Sequence, residues 1–232
     1  MKNIKILHLI EGARDAIGIT VIIDVFRAFS MEAYMMAQGA EKIIPVGDCD
    51  IAYRLKEENP DMLLAGERHG KILPGFDVGN SPWELSKINV EGKIIVHTTS
   101  AGTQGIANAI GATEILCGSL VNAKATAEYI KKSNNSNVSL VCMGLEAKAP
   151  SEEDTLCAEY IKSLLLGKTF DMESEIEKLK STSGAKFFDK AQNDVFPEMD
   201  FPMCTAVDKF NFVLRLNKDN DELGYVEKIS KI

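Results

Sequence analysis

Apolar residues along this chain fall into short unbroken blocks separated by longer stretches of mixed polarity. The blocks at 19–25, 42–46, 62–65, 93–97, 114–117 and 138–142 are rich in Val, Ile and Leu and show little polar alternation. Strands covered on both faces read this way, as in parallel sheets. Between them, 31–38, 49–58, 102–110, 123–132 and 153–166 are predicted to be helices. Strand–helix alternation of this kind predicts an α/β fold of layered sheet and helices. A weak repeat at an offset of 72 residues aligns Gly39-Ala40-Glu41-Lys42-Ile43-Ile44 with Gly111-Ala112-Thr113-Glu114-Ile115-Leu116. It is consistent with one compact unit, 1–232, built of two related α/β lobes, 1–88 and 93–232, with the site between them. Chance similarity between α/β segments accounts for it equally well. After residue 170 the pattern changes. A charged helix is predicted over 171–181, irregular chain around Pro197 and Pro202, and a closing strand pair at 205–216 and 223–229.

A chain of 232 residues buries roughly 70% or more of its unfolded surface, so it needs neither disulfides nor a structural metal to fold. The formal net charge of −8 argues against a nucleic-acid or anionic-membrane partner. It leaves room for a small anionic substrate met by a few local cations. The cysteines, Cys49, Cys117, Cys142, Cys157 and Cys204, are odd in number and form no C-x-x-C pair. That is expected of a reduced, cytoplasmic protein. Residues 1–10 lack the pattern of a cleaved leader, and no apolar run reaches the roughly 18 residues of a membrane span. Nothing in the pattern requires or excludes a homodimer.

Ligands of open α/β sheets bind beyond the carboxyl ends of the strands, so the segments after each strand are the place to look for chemistry. Asp24 closes the first block and Arg27 follows at a helix start. A carboxylate there serves as metal ligand or nucleophile with Arg27 as anion clamp, or else as a local ion-pair partner or helix cap. The segment 66–82 is a long Gly- and Pro-rich loop carrying Glu67, Arg68, His69, Asp77 and Asn80, a composition more often functional than idle. Ser81 before Pro82 reads as a helix cap. Thr98, Thr99, Ser100, Gly102 and Thr103 lead into a helix whose free N–H groups suit a phosphate, or whose hydroxyls merely cap it. Neither a Walker A loop nor G-x-G-x-x-G is present. Glu153 and Asp154 open the next helix, where acids are expected from the dipole alone or as ligands of a cation. Oxygen donors of this kind suit Mg²⁺ better than Zn²⁺. Arginines, hydroxyls and carboxylates after different strands form the combination that phosphoryl transfer needs.

The blocks Asp24-Val25-Phe26-Arg27-Ala28, Gly66-Glu67-Arg68 with Gly75-Phe76-Asp77-Val78-Gly79-Asn80-Ser81-Pro82, and Thr98-Thr99-Ser100-Ala101-Gly102-Thr103 resemble the 2-phosphosulfolactate phosphatase family. Cys142-Met143-Gly144 and the Glu153-Asp154 pair look like its fourth motif. The likeness covers essentially the whole chain, and Phe29 and Ala101 depart from the family pattern. It implies a Mg²⁺-dependent hydrolase that converts 2-phospho-3-sulfolactate to 3-sulfolactate and phosphate, a step of coenzyme M biosynthesis. It implies Asp24, Arg27, Glu67 and Arg68 as catalytic residues, and Asp24, Glu67, Asp77, Glu153 and Asp154 as metal ligands. Asn80, Ser81, Thr98, Thr99, Ser100, Gly102 and Thr103 are implied to bind substrate. Two rival readings stand beside it: a phosphatase for another small organic phosphate, and a non-catalytic module that binds a small anion.

Overall fold

The structure, a computed structural model, describes residues 2–218 and 223–230. The chain opens with β1 (Asn3–His8), α1 (Leu9–Arg14), β2 (Gly18–Ile23), α2 (Ala28–Ala37), β3 (Lys42–Pro45), α3 (Cys49–Glu58), β4 (Leu63–Arg68), β5 (Lys71–Ile72) and α4 (Pro82–Leu85). It continues through β6 (Ile94–Thr98), α5 (Gly102–Asn108), β7 (Ala112–Gly118), α6 (Ala123–Lys132), β8 (Asn137–Cys142), α7 (Glu152–Leu165), α8 (Met172–Leu179), α9 (Asp200–Cys204), β9 (Val213–Asn217) and β10 (Tyr225–Ile229). All ten strands join one sheet in the order β1-β8-β2-β7-β9-β10-β3-β6-β4-β5, with helices packed on it. The fold is therefore the layered α/β architecture that the block pattern predicts. β2, buried along its whole length, is the clearest example of a strand covered on both faces.

The strand pair of the tail does not close an edge. β9 pairs with β7, β10 pairs with β3, and the two pair with each other, all antiparallel, so this hairpin joins two parallel half-sheets at the centre. One half holds β1, β8, β2 and β7, and the other β3, β6 and β4. The 72-residue repeat has a counterpart here: β7 and β3 flank the hairpin, and β2 and β6 stand next outward. β2-α2-β3 crosses from the first half to the second, and β6-α5-β7 crosses back. A cut at 88–93 therefore does not separate two lobes, because strands from 1–88 and 93–232 are interleaved in both halves. β1 and α1 are elements that the block pattern omits. β1 is a half-exposed edge strand whose alternation is interrupted by charge.

Parallel strands in one half run opposite to those in the other. A flat sheet would send their carboxyl ends to opposite edges. The accumulated right-handed twist and the crossing helices instead bring the ends of β2, β8, β4 and β6 to one place. α5, which follows β6, packs on α1 and β2 of the other half. α2 is buried at nine of its ten residues, consistent with its almost wholly apolar sequence. The one charge within it, Glu32, needs a partner at zero exposure. His97 on β6 supplies one, with Nδ1 2.9 Å from the Glu32 carboxylate.

Candidate active site

Two strand ends and one helix start deliver carboxylates to a common cleft of about 130 Å³. β2 ends directly before Asp24, whose Oδ1 accepts the Ala28 amide at 3.1 Å at the opening of α2. Glu67 stands on β4, and its two oxygens accept the Ser100 and Gly70 amides, each at 2.7 Å. The Ser100 hydroxyl adds a bond at 3.2 Å. In the first turn of α7, Asp154 accepts the Val25 and Gly144 amides, both at 2.8 Å, and so ties the ends of β2 and β8 together. Glu153 beside it is buried, and among the described residues its Oε2 has no hydrogen-bond partner. Gly102 approaches Asp24 so closely that a Cβ there would stand 3.0 Å from Oδ2 and 2.9 Å from the Ala28 side chain.

Buried carboxylates this close disfavour one another's charge. Burial, with repulsion from Glu67 and Glu153 added, pushes Asp24 up to about 7 despite the opposing Ala28 amide. Burial, then Glu153 and Asp24, also raise Asp154 well above the usual carboxylate range. A folded-state value above the unfolded one stabilises the fold below about pH 4, and that contribution is lost as pH rises toward 7. For Asp24 the change from 3.8 to about 7 corresponds to roughly 4 kcal/mol. In the metal-free protein, the stability of wild type relative to Asp24→Asn is expected to fall between about pH 4 and 7 and to level off above. Urea midpoints across that range measure it, and a flat difference would contradict the assigned burial.

Cations and a second polar network face these acids. Arg27 donates to Asp200 at 2.7 Å and to the Gly70 carbonyl at 3.3 Å, with its guanidinium 4.9 Å from the Phe196 ring centroid. Asp200, fully buried, also accepts the Ser81 hydroxyl at 2.8 Å and the Trp83 amide at 2.9 Å. Thus Ser81, besides capping α4, is fixed to the Arg27 anchor. Asn80 lines the cleft, and its side-chain oxygen lies 3.2 Å from His97 Nε2, the far side of the ring that meets Glu32. Either Glu32→Ala or His97→Ala is expected to destabilise the protein by about 3–5 kcal/mol, because each strands a buried polar partner. Denaturant unfolding measures this. At the rim His69 Nδ1 lies 2.6 Å from Glu146, which also accepts Lys148. Lys186 completes the lining.

Of the residues singled out from sequence, Asp24, Arg27, Glu67, Asn80, Ser100, Glu153 and Asp154 line this cleft. Others lie outside its lining. Arg68 turns away, donating to the carbonyls of Glu67 and Gly47 and to the Thr98 hydroxyl, where it clamps the ends of β3, β4 and β6. Asp77 accepts the Leu64 amide at 2.7 Å and pairs with Lys56 at 3.6 Å, so it fastens the Gly-rich loop to β4 rather than joining the other carboxylates. Thr99 and Thr103 bond to each other across the start of α5. The amides after β6 and β4 that invite an external anion are thus partly used by the protein's own Glu67. Sequence reasoning missed Asp200, Lys186, Phe196 and the Glu32–His97 pair. Among the described residues only Asp48, Cys49 and Asp50 bring three candidate ligand atoms within 4.8 Å of one another, and there Asp48 caps α3. The cleft carboxylates stand further apart, a spacing that suits a cation keeping several of its waters.

Fold and cleft together define an α/β protein with a buried acidic site bordered by cations. The chain belongs to the 2-phosphosulpholactate phosphatase family, whose model matches residues 5–219. That family is one of phosphoric monoester hydrolases. The chain is 33% identical over 215 residues to a protein of Bacillus subtilis, covering 91% of this chain and 92% of the relative. It is 41% identical over 172 residues to one from Caldicellulosiruptor saccharolyticus, covering 72% and 71%. A third, from Caldanaerobacter subterraneus subsp. tengcongensis, is 35% identical over 216 residues, covering 84% and 86%. All three bear the name probable 2-phosphosulfolactate phosphatase.

Proposed function

We propose that this protein is a Mg²⁺-dependent phosphatase that hydrolyses 2-phospho-3-sulfolactate to 3-sulfolactate and inorganic phosphate. The observation that carries the reading is the cleft itself. Asp24, Glu67, Glu153 and Asp154 converge there, and Glu153 Oε2 is buried without a partner among the described residues. Such a site repels a substrate carrying about four negative charges unless a cation intervenes. The donor set is all oxygen, which fits Mg²⁺. Asp24, Glu67, Glu153 and Asp154 would hold the ion, and its chemistry there is neutralisation of charge on the phosphoryl oxygens.

The chain's own residues supply the remaining parts. Asp200 and the Gly70 carbonyl fix the Arg27 guanidinium and use two of its donors, and the others are free to meet phosphoryl oxygens. Asn80, held by His97, adds a polar group to the wall. Attack on phosphorus breaks its bond to the C2 oxygen of the substrate, which takes a proton and becomes the hydroxyl of 3-sulfolactate. Asp24 would either attack, with water then hydrolysing the acyl phosphate to release inorganic phosphate, or accept the proton of an attacking water. Rapid acid quenching and mass analysis of the peptide containing Asp24 separates the two, since only direct attack leaves a phosphoryl group on it.

In an organism that makes coenzyme M, the reaction belongs to that synthesis, and the substrate would be a cytoplasmic metabolite. None of the described helices is long and apolar enough to cross a membrane. The test is phosphate release from 2-phospho-3-sulfolactate beside a panel of small phosphomonoesters. Selective release from the sulfonated ester supports the assignment, and preference for another ester contradicts the substrate while keeping the class.

A further inference from the structure

We propose that Lys186 is the anchor of a sulfonate subsite in the cleft, an inference that rests on the phosphatase reading above. Lys186 lies on a 3-10 turn, Ala185–Phe188, in the irregular segment between α8 and α9. Its ammonium sits 5.3 Å from the ring centroid of Phe196, 5.5 Å from Phe187 and 5.6 Å from Phe26. The Phe196 ring also carries the Arg27 guanidinium, so the two cations share one aromatic wall of the cleft.

What sets Lys186 apart is that its charge is uncommitted. Arg27 is paired with Asp200 and His69 with Glu146, while Arg68 is spent on backbone carbonyls and a hydroxyl outside the lining. Among the described residues Lys186 makes no ion pair, and no side-chain hydrogen bond from it is found. Glu153 Oε2, on the same cleft, is itself without a partner, so Lys186 does not serve to neutralise it. Ring faces hold an ammonium in place electrostatically without using its three N–H donors. The result is a positioned cation with its donors free, at a site bordered by apolar surface.

The chemistry of that setting selects its ligand. The four carboxylates, with a cation held by them, and Arg27 would take the phosphoryl group. A second anionic group on the same small molecule must then be met elsewhere. A sulfonate is a three-oxygen anion that stays charged at any ordinary pH and is weakly hydrated for its charge. A single ammonium among phenyl rings suits it. A carboxylate, more strongly hydrated and planar, is better matched by the bidentate fork of an arginine.

Calorimetric binding to the full chain in the presence of Mg²⁺ tests this, with 3-sulfolactate and lactate as probes and with wild type, Lys186→Met and Lys186→Arg. Wild type is expected to bind 3-sulfolactate at least about tenfold more tightly than lactate. Lys186→Met is expected to reduce that preference about 10–100-fold, and Lys186→Arg to recover part of it. Melting curves of both variants confirm that they fold. Equal losses for the two acids would place Lys186 on the carboxylate instead. An unchanged preference, or none in wild type, would overturn the subsite. Turnover of 2-phospho-3-sulfolactate by wild type is a separate readout. A protein that binds sulfolactate through Lys186 yet releases no phosphate would contradict the phosphatase reading and leave the subsite standing.

Discussion

Asp24→Asn is expected to lower phosphate release by at least about a thousandfold while making the metal-free protein more stable. Both effects have one origin. Asp24 is held as an acceptor by the Ala28 amide amid the charges of Glu67 and Glu153, and burial opposes its ionisation. The asparagine oxygen can still accept from Ala28, so the helix start is preserved. Removing the charge relieves roughly 4 kcal/mol of unfavourable burial near pH 8, less a hydrogen bond or two lost where an amide nitrogen replaces the second oxygen. A net gain of about 2 kcal/mol would raise the melting midpoint by about 5 °C in a chain of this size. Melts in chelator at pH 8 read the gain. Added Mg²⁺ is expected to stabilise wild type far more than the variant, because the ion binds the folded site. Turnover near wild type would remove Asp24 from the chemistry.

The second large effect comes from a residue far from any motif. Asp200 is fully buried and bonded to Arg27, Ser81 and the Trp83 amide. Asp200→Ala leaves a nearly buried guanidinium unpaired and is expected to cost about 3–5 kcal/mol, or roughly 10 °C in the melting midpoint. Binding of phosphate should weaken with it, because Arg27 and the 75–82 loop lose their common anchor. The paired change Arg27→Met with Asp200→Leu removes both charges. It is expected to recover much of the stability and none of the activity. Equal instability in the single and paired variants would mean that packing, not charge, is what Asp200 provides.

These two residues show what sequence could and could not disclose. Asp24 was legible because it interrupts an apolar strand at the end where α/β proteins bind ligands, and Glu67, Ser100 and the Glu153-Asp154 pair follow the same logic at β4, β6 and α7. Asp200 carries no such signal. It lies 173 residues from Arg27 in the chain, between prolines, in a segment without periodicity. Lys186 and Phe196 are hidden for the same reason. Arg68 lies outside the lining although it follows Glu67 directly on β4, because successive strand residues point to opposite faces. Glu67 faces the cleft, so Arg68 cannot. Thr99 and Thr103 read as an anion cradle, but their spacing equally permits the local bonds they make. At the level of the fold, alternation gave away the helices and the parallel strands. The hairpin of β9 and β10 could be recognised as a strand pair, whereas its place at the centre of the sheet depends on pairing with β7 and β3, both far away in the chain.

The claim at the centre of this account is that the cleft carboxylates work through a divalent cation. Phosphate release from 2-phospho-3-sulfolactate, followed as Mg²⁺ is added back to chelated protein, tests it most directly. The account predicts no release in chelator and a saturable return of activity with Mg²⁺. Release that is indifferent to chelation, or none at any Mg²⁺ concentration from folded protein, would contradict it.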